Sequence, residues 1–211
     1  MNAPVDNPTA AIERASPVAI RAPRGGEPFL APVERPKSLI MRLVFFFSKR
    51  KFGKVMGPLT VFAARMPSSF GMFYGKVSTL DKKLQIPWDL VLILRGRVSS
   101  INGCLFCFDA ANAFALENPR TEKQFDALGE DVSSSLFTEA ERSALDYVTD
   151  LTQSKAVSGD TFAKLATHYT EREICDIVWI VASEHLYNLS NIGLNIGSDG
   201  MCDIVRRKRR A

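Results

Sequence analysis

The chain has little histidine and little cysteine. His168 and His185 are its two histidines, and Cys104, Cys107, Cys175 and Cys202 its four cysteines. A structural zinc site takes about four ligands, usually from two such pairs. One close pair with two scattered histidines falls short of that, so no metal or other cofactor is expected. Four unevenly spaced cysteines also exclude the disulfide framework of a small secreted domain. Long apolar runs are absent too. The longest near the N-terminus, Leu43 to Phe47, lies between Arg42 and Ser48-Lys49-Arg50, whereas a membrane-crossing helix needs about twenty apolar residues. The opening MNAPVDNPTAAIERASP lacks the apolar segment of a secretory signal. A cytoplasmic, reducing location is the expectation. No run alternates apolar and polar residues as a strand would.

Acids are missing from two stretches. Six basic residues and no acid lie between Lys37 and Lys54, and Arg206 to Arg210 are all basic. Setting those eleven aside leaves 16 of the 27 basic residues against 23 acidic ones, so the remaining body is mildly acidic. The terminal cluster is short and carries no interleaved aromatics. It is read as a solvated tail over residues 201–211, without nucleic-acid or membrane contact.

What is present is helical signal. Residues 1–36 hold seven of the eleven prolines and no apolar periodicity, the pattern of a disordered or draped arm. Phe29 and Leu30 could anchor it on a partner subunit. The domain proper is expected over residues 37–200. From Ser38 to Lys51, Leu39, Ile40, Leu43, Val44 and Phe47 recur at amphipathic helix spacing; this helix is expected to pack its stripe on its own domain, basic face outward. Leu90, Val91, Leu94, Val98 and Ile101 form the buried stripe of a helix from Pro87, with Arg95 and Arg97 at its edge. Thr138 with Glu141, and Thr170 with Glu173, have capping-box spacing. The second box opens a long helix with Ile174, Ile177, Val178, Val181, Leu186 and Leu189 inside. The fold class is all-α, a bundle of about six to eight helices.

The chemistry is expected at Cys104 and Cys107. Asn102-Gly103 is a break signal, and Gly103 can take the left-handed conformation that ends a helix. Cys104 to Glu117 contain no Gly or Pro and propagate helix well. Two thiols thus sit in a first helical turn, three positions apart. The free N–H groups and dipole of a helix start favour a thiolate, and the spacing suits reversible disulfide closure. On these grounds Cys104 is the more acidic and exposed thiol. Asp109, about 200° round the axis from Cys107, should point away from it. Cys175 is expected in the core, and Cys202 in the tail.

Asn102-Gly103-Cys104-Leu105-Phe106-Cys107-Phe108-Asp109, preceded by Leu94-Arg95-Gly96-Arg97-Val98, resembles the carboxymuconolactone decarboxylase family in its alkylhydroperoxidase D-like branch. Glu184 to Asn191, followed by Ile196-Gly197, is similar to the family's late helix. The resemblance implies an all-helical, homo-oligomeric, thiol-dependent oxidoreductase. It would reduce hydroperoxides or exchange disulfides, with a thiol–disulfide protein as reductant and the sulfur of Cys107 facing the peroxide. This chain departs from the branch at two places. Ala111 stands where it has a relay histidine, and Leu92 where it has a glutamate. Glu184 and His185 are the candidate replacements for that lost general base. Two alternatives remain open. One is a lyase or isomerase acting on a small lactone or acid through Glu184, His185 or Arg97. The other is a binding module that has lost catalysis.

Overall fold

The computed structural model describes residues 27–128 and 135–210; residues 1–26 of the expected arm lie outside them. Residues 27–36 are extended and drape over the chain's own domain. The Phe29 amide donates to the Leu194 carbonyl at 3.1 Å, and the Val33 amide to the Thr60 carbonyl at 3.0 Å.

The described residues are helical and contain no strand. Ten α-helices follow in order: α1 (Leu39–Phe52), α2 (Pro67–Phe70), α3 (Ser78–Asp81), α4 (Trp88–Asn102), α5 (Leu105–Ala115), α6 (Pro119–Ala127), α7 (Glu139–Ser154), α8 (Gly159–Ala166), α9 (Glu171–Ile192) and α10 (Met201–Arg210). The excess over the expected number comes from the four-residue α2 and α3. Two π-helical turns, Leu59–Ala63 and Gly71–Val77, lie among them. Both expected capping boxes are formed: Thr138 and Thr170 accept from the Glu141 and Glu173 amides, and each glutamate returns the bond.

Helix α4 is the axis of the bundle, packed against α5, α6, α7 and α9. Leu92, Ile93, Leu94 and Val98 are fully enclosed and meet Leu145, Val148, Ile177 and Ile180 in the main core. A Cβ on Gly96 would stand 2.6 Å from the Phe125 ring, so glycine lets α6 approach closely there. A second core gathers Met41, Phe45, Met56, Leu59, Ala113 and Met201 between α1, α5 and α10. The terminal segment is therefore a packed helix rather than a free tail. Asp109 fixes its start, accepting from the Met201 amide at 2.7 Å and the Cys202 amide at 3.1 Å.

Two helices are rotated relative to their expected stripes. Helix α1 buries Met41, Phe45 and Ser48, while Leu39, Ile40, Leu43 and Phe47 face outward. Helix α9 buries Asp176, Ser183, Glu184, Asn188 and Asn191 together with Ile177, Ile180 and Val181, leaving Val178, Leu186 and Leu189 exposed. For α9 the cause is polar. Buried charges and amides on its inner face need partners, and α4 supplies them.

Candidate functional site: a buried cysteine pair beside an apolar cavity

Helix α4 ends as its sequence dictates. Gly103 is left-handed, with φ 71°, and the Cys104 amide closes back on the Ser99 carbonyl at 2.9 Å, a glycine-terminated cap. Cys104 is then the extended N-cap of α5, and Cys107 lies in the first turn. The expected exposure is not found. Cys104 is 1% and Cys107 8% accessible, because α9 crosses over the helix start. It brings the Asn191 side-chain amide to the pair, 3.2 Å from Cys107 Sγ and 4.0 Å from Cys104 Sγ.

The two thiols are electrostatically unequal. A hydrogen bond from Cys107 holds Cys104 below its ordinary pKa against the opposing effect of burial, with help from the Cys107 amide and Asn191. That amide supports the charge without closing a regular capping bond. Cys107 is pushed well up by donating to Cys104, by burial and by the nearby charge of Glu184. Within the pair Cys107 is therefore the donor and Cys104 the acceptor, and Cys104 is the sulfur that ionises first.

The polar inner face of α9 meets a matching stripe on α4. Arg95, Ser99 and Asn102 stand at i, i+4 and i+7; so do Glu184, Asn188 and Asn191. Arg95 Nη1 donates to Glu184 Oε2 at 2.7 Å and Nη2 to Asp81 Oδ2 at 2.9 Å. Glu184 Oε1 accepts from Ser99 Oγ and Asn188 Nδ2, both at 2.8 Å. Asn102 Nδ2 donates to Asn188 Oδ1 at 2.8 Å. Arg95, placed at a helix edge by its sequence position, is in fact buried. Burial alone would ease its proton off, but Glu184 and Asp81 outweigh that and keep it charged.

A cavity of about 230 Å³ opens on this assembly. Cys107, Asn191, Glu184 and Arg95 reach its wall; Cys104 does not. Phe62, Phe73, Trp88, Phe106, Phe114 and Tyr187 make most of the rest. Leu92 and Ala111, at the two departures from the relay, line the same cavity. The surface beside Cys107 is thus hydrocarbon where a relay would need an acid and a base.

Of the four residues singled out by sequence, Cys104, Cys107 and Glu184 are brought together. His185 is not. Its Nδ1 faces the Val181 carbonyl and its Nε2 faces Lys155 Nζ, each at 2.9 Å, because it lies about 100° round α9 from Glu184. Glu184 is present, but both its oxygens are already engaged. Sequence reasoning missed Arg95 and Asn191, whose signal was the pair of i, i+4, i+7 polar stripes on otherwise apolar helices. Arg97 bonds Thr149 Oγ1 and the Leu128 carbonyl, away from the cavity. Cys175 is exposed rather than in the core. Cys202 is half-buried, and burial together with Asp109 pushes its thiol up to about 12. Among the described residues, no three His, Cys, Asp or Glu side chains are grouped as for a metal ion. No described helix is long and apolar enough to cross a membrane.

No family model matches the chain. It is similar to the protein YnjA of Escherichia coli K12, 24% identical over 173 residues, which cover 81% of this chain and 94% of the relative. It is also similar to YdfG of Bacillus subtilis 168, 27% identical over 104 residues, 48% of this chain and 71% of the relative. One solved structure like it is a peroxidase-related protein from Ralstonia eutropha JMP134, described as an alkylhydroperoxidase AhpD core. The TM-score is 0.65 at 20% identity, over 79% of this chain and 90% of that one. Another is the debrominase Bmp8, as a Cys-to-Ala variant in complex with 2,3,4-tribromopyrrole, with TM-score 0.67 at 22% identity over 85% of this chain and 96% of that one. The chain thus has the all-helical alkylhydroperoxidase D-like fold, and the resemblance read from its cysteine segment is borne out at the level of that fold.

Proposed function

We propose that the chain is a thiol oxidoreductase that reduces an apolar hydroperoxide at Cys107 and closes a Cys104–Cys107 disulfide. The observation that carries this reading is the sulfur pair itself: two unequal thiols bridged by Asn191, with Cys107 on the wall of an apolar cavity. Ionisation of Cys104 releases one proton to the medium, and the proton remaining on Cys107 then moves to Cys104, leaving the cavity-facing sulfur ionised. That thiolate attacks the terminal oxygen of R–OOH, the O–O bond breaks, and Cys107 becomes a sulfenic acid. The departing alkoxide takes the proton from Cys104. Cys104 then attacks the Cys107 sulfur; the S–S bond forms, and the hydroxide released takes back from the medium the proton that the pair lost on ionising. One hydroperoxide and two thiols become an alcohol, water and a disulfide. A dithiol protein returns the two electrons by exchange.

The test is a count of free thiols before and after one equivalent of an organic hydroperoxide. Two thiols should disappear, and Cys107→Ser should stop peroxide consumption. Unchanged consumption by Cys107→Ser would refute the peroxidase reading. Activity on a lactone that survives the Cys104→Ser, Cys107→Ser double variant would favour the lyase alternative.

A second reading is favoured by the six aromatic rings of the cavity wall and by the likeness to a debrominase. Here the same dithiol would reduce a small halogenated aromatic, replacing the carbon–halogen bond by C–H and releasing halide as the disulfide forms. Bromide release from a bromopyrrole, dependent on both cysteines, distinguishes it from alcohol formation.

A further inference from the structure

We propose that the outward face of α1 is a docking surface for an anionic lipid bilayer. At 3.6 residues per turn, Leu39, Leu43, Phe46, Phe47 and Ile40 fill an arc about 120° wide. It lies opposite the line of Met41, Phe45 and Ser48 that anchors the helix to the second core. These five side chains are 57–76% exposed, a contiguous apolar surface of the kind that marks an interaction site. Arg42 and Lys49 flank the arc on one shoulder and Lys51 on the other, with Arg50 at its C-terminal end. All four are exposed. Apolar arc and basic shoulders together are the pattern of a helix lying in the plane of a membrane interface.

Charge decides the occupant. No acid occurs between Lys37 and Lys54. Helix α10 adds one more cation, since Lys208 Nζ donates to the Lys51 carbonyl. The neighbouring acids Asp199 and Glu122 are taken up by Lys54 at 2.6 Å and Arg206 at 3.2 Å; Asp203 is the remaining acid of α10. A second copy meeting this face symmetrically would set like charge against like. A leaflet bearing anionic headgroups complements it, each basic side chain adding to the attraction.

The surface does not depend on the thiol chemistry, but it leads toward it. A cavity of about 410 Å³ runs between α1 and α5, lined by Phe47 and Lys51 of the docking face and by Phe106, Ala110 and Phe114. Those last three also line the cavity that holds Cys107. A docked bilayer would lie over a cavity that shares Phe106, Ala110 and Phe114 with the cavity of Cys107.

Cosedimentation of the full chain with vesicles tests the proposal. The protein should pellet with vesicles of phosphatidylcholine and phosphatidylserine, stay in solution with pure phosphatidylcholine, and release as salt is raised. Leu43→Glu with Phe47→Glu, and separately Lys49→Glu with Arg50→Glu, should each lower the bound fraction at least about tenfold. These positions are exposed, so helical circular dichroism should be unchanged, and Cys107→Ser should bind normally. Absence of binding to the anionic vesicles overturns the proposal, as does equal binding to both kinds. It is also overturned if sedimentation velocity shows a self-associated chain that the Leu43→Glu, Phe47→Glu variant dissociates, without vesicle binding in either form.

Discussion

Asn191 is the side chain on which both sulfurs converge, and it gives the pair a neutral donor from outside α5. Replacing it by alanine removes a hydrogen bond to the ionised form, so the Cys104 thiol should titrate higher. Alkylation rate against pH would register the shift, and at neutral pH the rate should fall severalfold. An unmoved midpoint would mean that Cys107 alone holds the Cys104 charge. At this scale the cysteines were legible, because Asn102-Gly103 marks the helix break and two thiols follow it. Their burial was not. It depends on α9 crossing the start of α5, a contact 84 residues away in the chain that no local pattern encodes. His185 and Glu184 are adjacent in sequence, yet a helix turns successive residues about 100° apart. One enters the site and the other leaves it.

Between elements, the joint of α4 with α9 is a row of hydrogen bonds rather than a hydrophobic seam. Arg95→Met would leave the Glu184 carboxylate buried with its ion partner removed, at a cost of about 3–5 kcal/mol. Adding Glu184→Gln should recover part of that loss, since the remaining Ser99 and Asn188 donors suit a neutral amide. Denaturant midpoints of the two variants check the order. The helices and their boundaries were largely readable, because caps are local: Thr138 and Thr170 announce α7 and α9 through residues three positions on. Helix orientation was not. Apolar spacing points Leu186 and Leu189 inward, but the desolvation cost of Glu184, Asn188 and Asn191 outweighs their burial and turns α9 the other way. Helix α1 shows the same limit, with one apolar line buried and a second left outside.

For the whole molecule, acid should be destabilising through the two capping boxes. Burial pushes the Glu141 carboxyl up, but bonds from Arg120, the Thr138 amide and Gln124 outweigh it and hold the group below its ordinary 4.5. Bonds from Thr170 hold Glu173 low as well. A depressed folded pKa stabilises above the unfolded value and loses that contribution as pH falls through the folded one. The unfolding midpoint should therefore drop as pH falls below 4.5, and Glu141→Gln with Glu173→Gln should flatten the drop. The hydrocarbon wall at Leu92 and Ala111 has its own outcome for turnover. In the proposed reaction Cys104 is the acceptor that the pair itself offers Cys107, and any further base has to come from the medium. Peroxide turnover at fixed pH and ionic strength should climb with added imidazole, a molecule small enough for the room that Ala111 leaves. Ala111→His should make the rate indifferent to the buffer.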